Sequence, residues 1–186
     1  MAGKSGLKEF KSLLAAGGLP DLGPGPRAGI LPHEELTEAL DSLLSNTKLP
    51  SVSRDLIRGL ILLWHDRLEP AHEIAQGVGN ADGSFLHGIV HRREPDYGNA
   101  AYWFRRTDGH PCFPKIADMA AAFLELKNET ALKAQLIPDG EWDPFAFIEL
   151  CKKAIGRPSA DARVELLREI QGIETESLLE YLLNER

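Results

Sequence analysis

Cysteine is nearly absent from this chain: Cys112 and Cys151 are the only two, far apart and outside any CxxC pair. That excludes a disulfide framework and a cysteine-based zinc site, and a reducing compartment is the simplest reading. Long apolar runs are lacking as well. No stretch approaches the roughly 20 apolar residues that span a bilayer. Met1-Ala2-Gly3-Lys4-Ser5-Gly6 has no apolar run after its lysine, so no secretory leader is read there and a cytoplasmic protein is expected. Basic excess is the third absence, with 21 Lys and Arg against 28 Asp and Glu and a formal net charge of -7. A general nucleic-acid binder needs a basic face to neutralise phosphates, so nucleic acid is not an expected partner. The acidic excess is mostly C-terminal, since residues 111–186 carry 14 acidic and 9 basic side chains.

What is present is an ordinary globular composition, 43% hydrophobic and 26% charged over 186 residues. A chain of that size has enough apolar surface to fold without staples. Apolar residues recur at helical spacing and no strand-like alternation competes. The expected fold class is therefore all-α, a single compact multi-helix domain. The pattern predicts helices over Leu7 to Ala16, from His33 through Leu44, from a Ser53 cap to about Arg67, and from Pro70 onward. Further segments are Phe85 to Arg93 behind a Ser84 cap, Asn99 to Arg106, Ile116 to Leu126, Asp143 to Ala154, Ala160 to Ile170 behind a Ser159 cap, and Glu174 to Leu183. Between the first two helices, Gly17-Gly18-Leu19-Pro20-Asp21-Leu22-Gly23-Pro24-Gly25-Pro26 denies the backbone regular structure. Residues 1–32 thus read as an N-terminal helix with a Gly/Pro-rich arm, exposed and flexible or wrapped over a site mouth, and residues 33–186 as the helical domain.

Five of the six histidines, His65, His72, His87, His91 and His110, fall between residues 65 and 110. Imidazole titrates near neutrality and is the commonest transition-metal ligand, so this stretch is the candidate site. His87 and His91, four apart on a helix, present two ring nitrogens from one face. A divalent transition metal needs at least one more ligand, which His65, His72, Glu69, Glu73 or His110 would supply if folding brings it alongside. The same four histidines, His65, His72, His87 and His91, are the candidate acid/base groups. The other reading is a metal-free network in which the histidines bond to carboxylates or carbonyls and serve structure.

Two arginine pairs, Arg92-Arg93 and Arg105-Arg106, lie beside Glu94, Asp96 and Asn99, and a guanidinium holds a carboxylate or phosphate through two parallel hydrogen bonds. A small anionic ligand is therefore an expected partner, with Arg92, Arg93, Asn99, Tyr102, Arg105, Arg106 and His110 as its candidate contacts. Adjacent helical residues diverge by about 100°, so at most one of each pair faces a given cleft. The arginines can equally pair with acids of the chain itself. Tyr97, Tyr102, Trp103 and Phe104 either wall a pocket or fill the core.

Several signatures fail. A zincin needs glutamate where Gly88 stands, Gly3-Lys4-Ser5 lacks the upstream glycine of a phosphate loop, and Gly77-Val78-Gly79 is followed by Asp82 where a dinucleotide fingerprint wants glycine. No GxSxG occurs, and His110-Pro111-Cys112 lacks the motifs of a zinc deaminase.

Residues 63–111 carry Leu63-Trp64-His65-Asp66, His72-Glu73-Ile74-Ala75-Gln76, Asp82-Gly83-Ser84, His87, His91-Arg92-Arg93-Glu94-Pro95-Asp96-Tyr97, Asn99, Tyr102-Trp103-Phe104-Arg105-Arg106 and His110-Pro111. This run resembles a family of uncharacterised bacterial and fungal proteins. The family has no established activity, so the resemblance implies no role for any residue. The expected function is a small-molecule enzyme or ligand binder with a His/Arg-rich, metal-assisted pocket for an anion. The alternative is a non-catalytic helical binding or interaction module with a structural histidine network.

Overall fold

The computed structural model describes residues 4–184, with side chains from residue 6 onward. The N-terminal residues read above for a leader and a phosphate loop begin outside that range. Among the described residues the regular structure is all helical: α1 (Lys4–Ala15), α2 (His33–Ser45), α3 (Ser51–Trp64), α4 (Leu68–Gln76), α5 (Ala81–Arg93), α6 (Tyr97–Arg105), α7 (Phe113–Leu126), α8 (Thr130–Leu136), α9 (Pro144–Ala154) and α10 (Ala162–Asn184). A single 3-10 turn, Pro138–Gly140, precedes α9. No helix of the described residues is long and apolar enough to cross a membrane.

The body is organised around α5, which is buried at every position from Asp82 to Arg93. It packs between α4 and α6 and against α3, while α10 crosses α3, α7 and α9. A helix enclosed on all sides is normally apolar all round. Here it also carries His87, His91, Arg92 and Arg93, so each of those groups needs a partner within the protein. Gly88 explains how α6 comes so close: a Cβ there would lie 2.7 Å from the Phe104 ring. The position that would hold a zincin's glutamate is reserved for ring packing.

Several helix ends differ from the sequence reading. Helix α3 begins at Ser51 after Pro50 with no side-chain cap, and Ser53 is buried inside it. It stops at Trp64 rather than near Arg67, because Asp66 adopts a left-handed φ of 60°. Pro70 is the third residue of α4, not the first; its missing N–H costs nothing anywhere in a first turn. Asn80 caps α5 by accepting the Gly83 N–H at 2.8 Å, which starts the helix ahead of the expected Ser84 cap. The last two expected helices are one, α10.

The Gly/Pro arm is tied down. Arg168 donates to Leu19 O and Pro20 O, Arg93 Nε to Gly23 O at 3.0 Å, and Arg27 to Gly17 O at 3.1 Å and Gly18 O at 3.2 Å. Phe10, Leu14 and Leu22 are in the core. The expected flexible stretch therefore wraps the helical body.

Candidate metal centre

Three of the five clustered histidines meet. His72 comes from the middle of α4, and His87 and His91 from consecutive turns of α5. One ring nitrogen from each lies within 4.8 Å of one from each of the others. His72 Nε2 and His87 Nε2 are 2.9 Å apart. The His87 and His91 rings are stacked with centres 4.8 Å apart, and the His72 ring stands edge-on to both at 4.7 and 4.8 Å.

Glu94, the residue that ends α5, faces two of the rings. Its Oε1 is 3.1 Å from His72 Nδ1, and its Oε2 is 3.2 Å from His91 Nδ1. The second contact is electrostatic, since the ring nitrogen is not aligned for a hydrogen bond. A carboxylate behind imidazole Nδ1 fixes the tautomer and turns Nε2 forward as a lone-pair donor, the arrangement found behind metal-bound histidines. His87 Nδ1 is buried without a hydrogen-bond partner. The indole of Trp103 on α6 stacks on His87 at 4.0 Å and 17°, and the Arg106 guanidinium lies 5.4 Å from the Trp103 ring centre.

Burial pushes His87 down to about 4, and His91 and His72 push the same way. Burial also lowers His91, outweighing the pull of Glu94. A lowered imidazole is neutral at pH 7 and keeps the lone pair a metal requires. Water still reaches the group through His72, whose side chain is 26% exposed.

The remaining expected site residues are elsewhere. His65 is fully buried, its Nε2 2.9 Å from Leu13 O and its Nδ1 accepting the Leu31 N–H at 3.3 Å. It ties α1 to the end of the arm and is not a ligand or acid/base partner of the other three. His110 is likewise sealed, with Nε2 2.8 Å from Asp82 Oδ1 and Nδ1 accepting the Cys112 N–H at 3.2 Å. Both nitrogens of each ring are thus occupied.

Arg92 and Arg93 do not face a cleft either. Arg92 makes a two-pronged pair with Glu174 of α10, both side chains fully buried, its Nη1 donating to Oε1 at 3.0 Å and its Nη2 to Oε2. Arg93 donates to Asp66 Oδ1 at 2.6 Å and to Leu63 O at 2.9 Å. Arg27 of the arm shares that same Asp66 oxygen at 2.7 Å. These cations meet internal acids, the other outcome the sequence left open. Asn99 is spent on capping α6 with Asp96, through contacts of 3.2 and 2.7 Å. Tyr102 is 48% exposed and edge-on to Trp103. Arg105 points the other way, toward Phe145. Of the expected anion contacts, Arg106 and Tyr102 lie against Trp103, the ring that stacks on His87.

Glu94 and Trp103 are site residues that the sequence reading does not assign to the centre. Glu94 had a signal, being three residues after His91 at a helix end. Trp103 had none, because its register against α5 is set by the Gly88 contact. No protein-family model, curated protein or solved structure matches this chain.

Proposed function

We propose that the protein is a metal-dependent enzyme or binder of a small anionic molecule, with His72, His87 and His91 holding one divalent transition metal. The observation that supports this reading is the convergence of three imidazoles from two helices, with Glu94 set behind two of them. Three nitrogen donors leave a fourth position for water or a ligand, and zinc in such a set brings its bound water to a pKa near about 7. Exposed Arg106, which has no carboxylate partner among the described residues, supplies the nearby positive charge for an anion. Tyr102 offers a hydroxyl beside it.

Two ligands on a tetrahedral zinc at roughly 2.0–2.1 Å stand about 3.3 Å apart. The 2.9 Å spacing between His72 and His87 must therefore open by a few tenths of an ångström. His72, with a side chain 26% exposed, is the less enclosed of the two rings. The same short spacing favours the second reading, a metal-free network in which one imidazole N–H donates to the next.

Zinc titrated into chelator-treated protein purified without a histidine tag separates the two. The metal reading expects saturation at one equivalent. His72→Ala, a change at a half-exposed site that spares the core, is expected to abolish saturable binding. Glu94→Gln is expected to weaken it about 10- to 100-fold, as loss of a histidine-orienting carboxylate does. Absence of saturable binding of zinc, cobalt, nickel and copper to the wild-type chain would sink the metal reading and leave the network.

A further inference from the structure

Residues 28–32 form a short strap between Arg27, which is anchored on Asp66, and the start of α2. Ala28, Gly29 and Pro32 are exposed, and nothing beyond Gly29's chain neighbours lies within 4 Å of where its Cβ would stand. Among the described residues the main chain of residues 28–31 is held by two hydrogen bonds, both at Leu31. Arg67 Nη2 donates to Leu31 O at 3.0 Å, and the Leu31 N–H donates to His65 Nδ1 at 3.3 Å. We infer that His65 is an acid-operated latch: neutral, it holds the strap against the end of α3, and charged, it releases the strap while the helical body stays folded. The inference is independent of the metal centre.

The bonding of the ring is the first support. His65 is fully buried and uses both nitrogens. Leu13 O, 2.9 Å from Nε2, can only accept, so Nε2 carries the proton and Nδ1 keeps the lone pair that receives the Leu31 N–H. A charged imidazole has a proton on each nitrogen. Nδ1–H would then face the Leu31 N–H, and a hydrogen bond would become an opposition of two donors.

Electrostatics act in the same direction. The charged groups that face the ring are Arg27 from the arm and Asp66 and Arg67 from the turn after α3, while α1 presents the main chain of Leu13. The single carboxylate is already shared by Arg27 and Arg93. Burial is the largest cause that lowers His65; Arg27 and Arg67 add to it, and Leu13 O and Asp66 oppose it. A released strap lets the ring take up a proton at its ordinary value of about 6.5, whereas the closed strap resists that proton. The latch is therefore shut above about pH 6.5, loosens as pH falls, and stops changing once the closed ring is charged as well.

Neighbouring anchors keep the opening local. Arg93 donates to Gly23 O, Arg168 to Leu19 O and Pro20 O, and Trp64 Nε1 to Leu14 O at 2.6 Å. Guanidinium and indole groups hold their protons throughout this range. Acid thus removes the strap's bond to His65 and leaves those of residues 14–23 in place.

The test is hydrogen exchange of the full chain with chelator present, from about pH 7.5 to 5, with each rate corrected for the intrinsic pH dependence of exchange. The Leu31 amide is expected to lose protection about tenfold per pH unit below about 6.5, the slope of one proton taken up on opening. That loss should be insensitive to low urea, because a local opening exposes little surface. The amide of Ile89, buried in α5, should remain far better protected. His65→Gln, whose side-chain amide can still donate to Leu13 O and never charges, is expected to flatten the Leu31 profile. In the wild type the His65 ring resonance should titrate in step with the Leu31 change, a measurement that stands even where the variant does not fold. Protection of Leu31 that is constant with pH, exchange of Leu31 only together with Ile89, an unchanged slope in His65→Gln, or a ring that stays neutral while Leu31 opens each overturns the inference.

Discussion

Glu174→Ala is expected to destabilise the protein by about 3–5 kcal/mol, the usual consequence of leaving one member of a buried ion pair without its partner. The partner is Arg92, which has no exposure and no other carboxylate partner among the described residues, and whose Nε already lacks a hydrogen bond. Phe147 is 4.4 Å from the guanidinium carbon and encloses it with apolar packing. Water cannot readily enter to compensate. Against a typical domain stability of about 5–15 kcal/mol, such a loss unfolds a large share of the molecules on modest warming. The double variant Arg92→Met/Glu174→Leu is expected to recover most of it, because removing both charges removes the desolvation cost with them. Urea unfolding of both variants and the wild type tests this. A single variant as stable as the wild type would show that the pair does not join α5 to α10 energetically.

Acid is expected to weaken the metal-free protein well above the pH at which its carboxylates protonate. Unfolded His87 takes up a proton near 6.5, whereas in the folded chain burial and its two histidine neighbours hold it down to about 4. Between those values the unfolded state carries the extra proton, so stability is full above about pH 6.5 and falls as pH drops toward 4. Below about 4 both states are protonated and this contribution stops changing. At roughly 1.4 kcal/mol per pKa unit, His87 alone accounts for about 3 kcal/mol. His91 and His65, lowered mainly by burial, act in the same direction. Urea midpoints between pH 7.5 and 4.5 with chelator present give the slope, and His87→Gln is expected to flatten it by about one proton. Superimposable pH profiles for variant and wild type would contradict the assignment.

Most helices were legible because their apolar residues recur at 3 to 4 positions, yet two parts of the chain followed other physics. Helix α8 (Thr130–Leu136) is seven residues long with only Leu132 and Leu136 buried, too few apolar positions for a period to register. Helix α10 runs through Gly172, which reads as a break but is an approach: a Cβ there would lie 3.1 Å from Leu19 of the arm. The histidine site was half legible. The four-residue spacing of His87 and His91 follows from helix geometry alone. That His72 joins them while His65 and His110 do not depends on how α4 folds back on α5, and α5 gives little hint of its placement because it is buried all round. Crowding along the chain thus brought together three histidines and scattered two, and it sent Arg92 and Arg93 to partners 82 and 27 residues away.

The arm meets Arg93 of α5 through the main-chain oxygen of Gly23, Arg168 of α10 through those of Leu19 and Pro20, and its own Arg27 through those of Gly17 and Gly18. Every amino acid carries that oxygen, so these hydrogen bonds depend on the route of the backbone, while side-chain identity there answers to other needs: Leu22 fills the core and Gly18 has a φ of 63°. An inserted or deleted residue in this stretch, by displacing the whole row of acceptors, would strand several guanidinium groups at once.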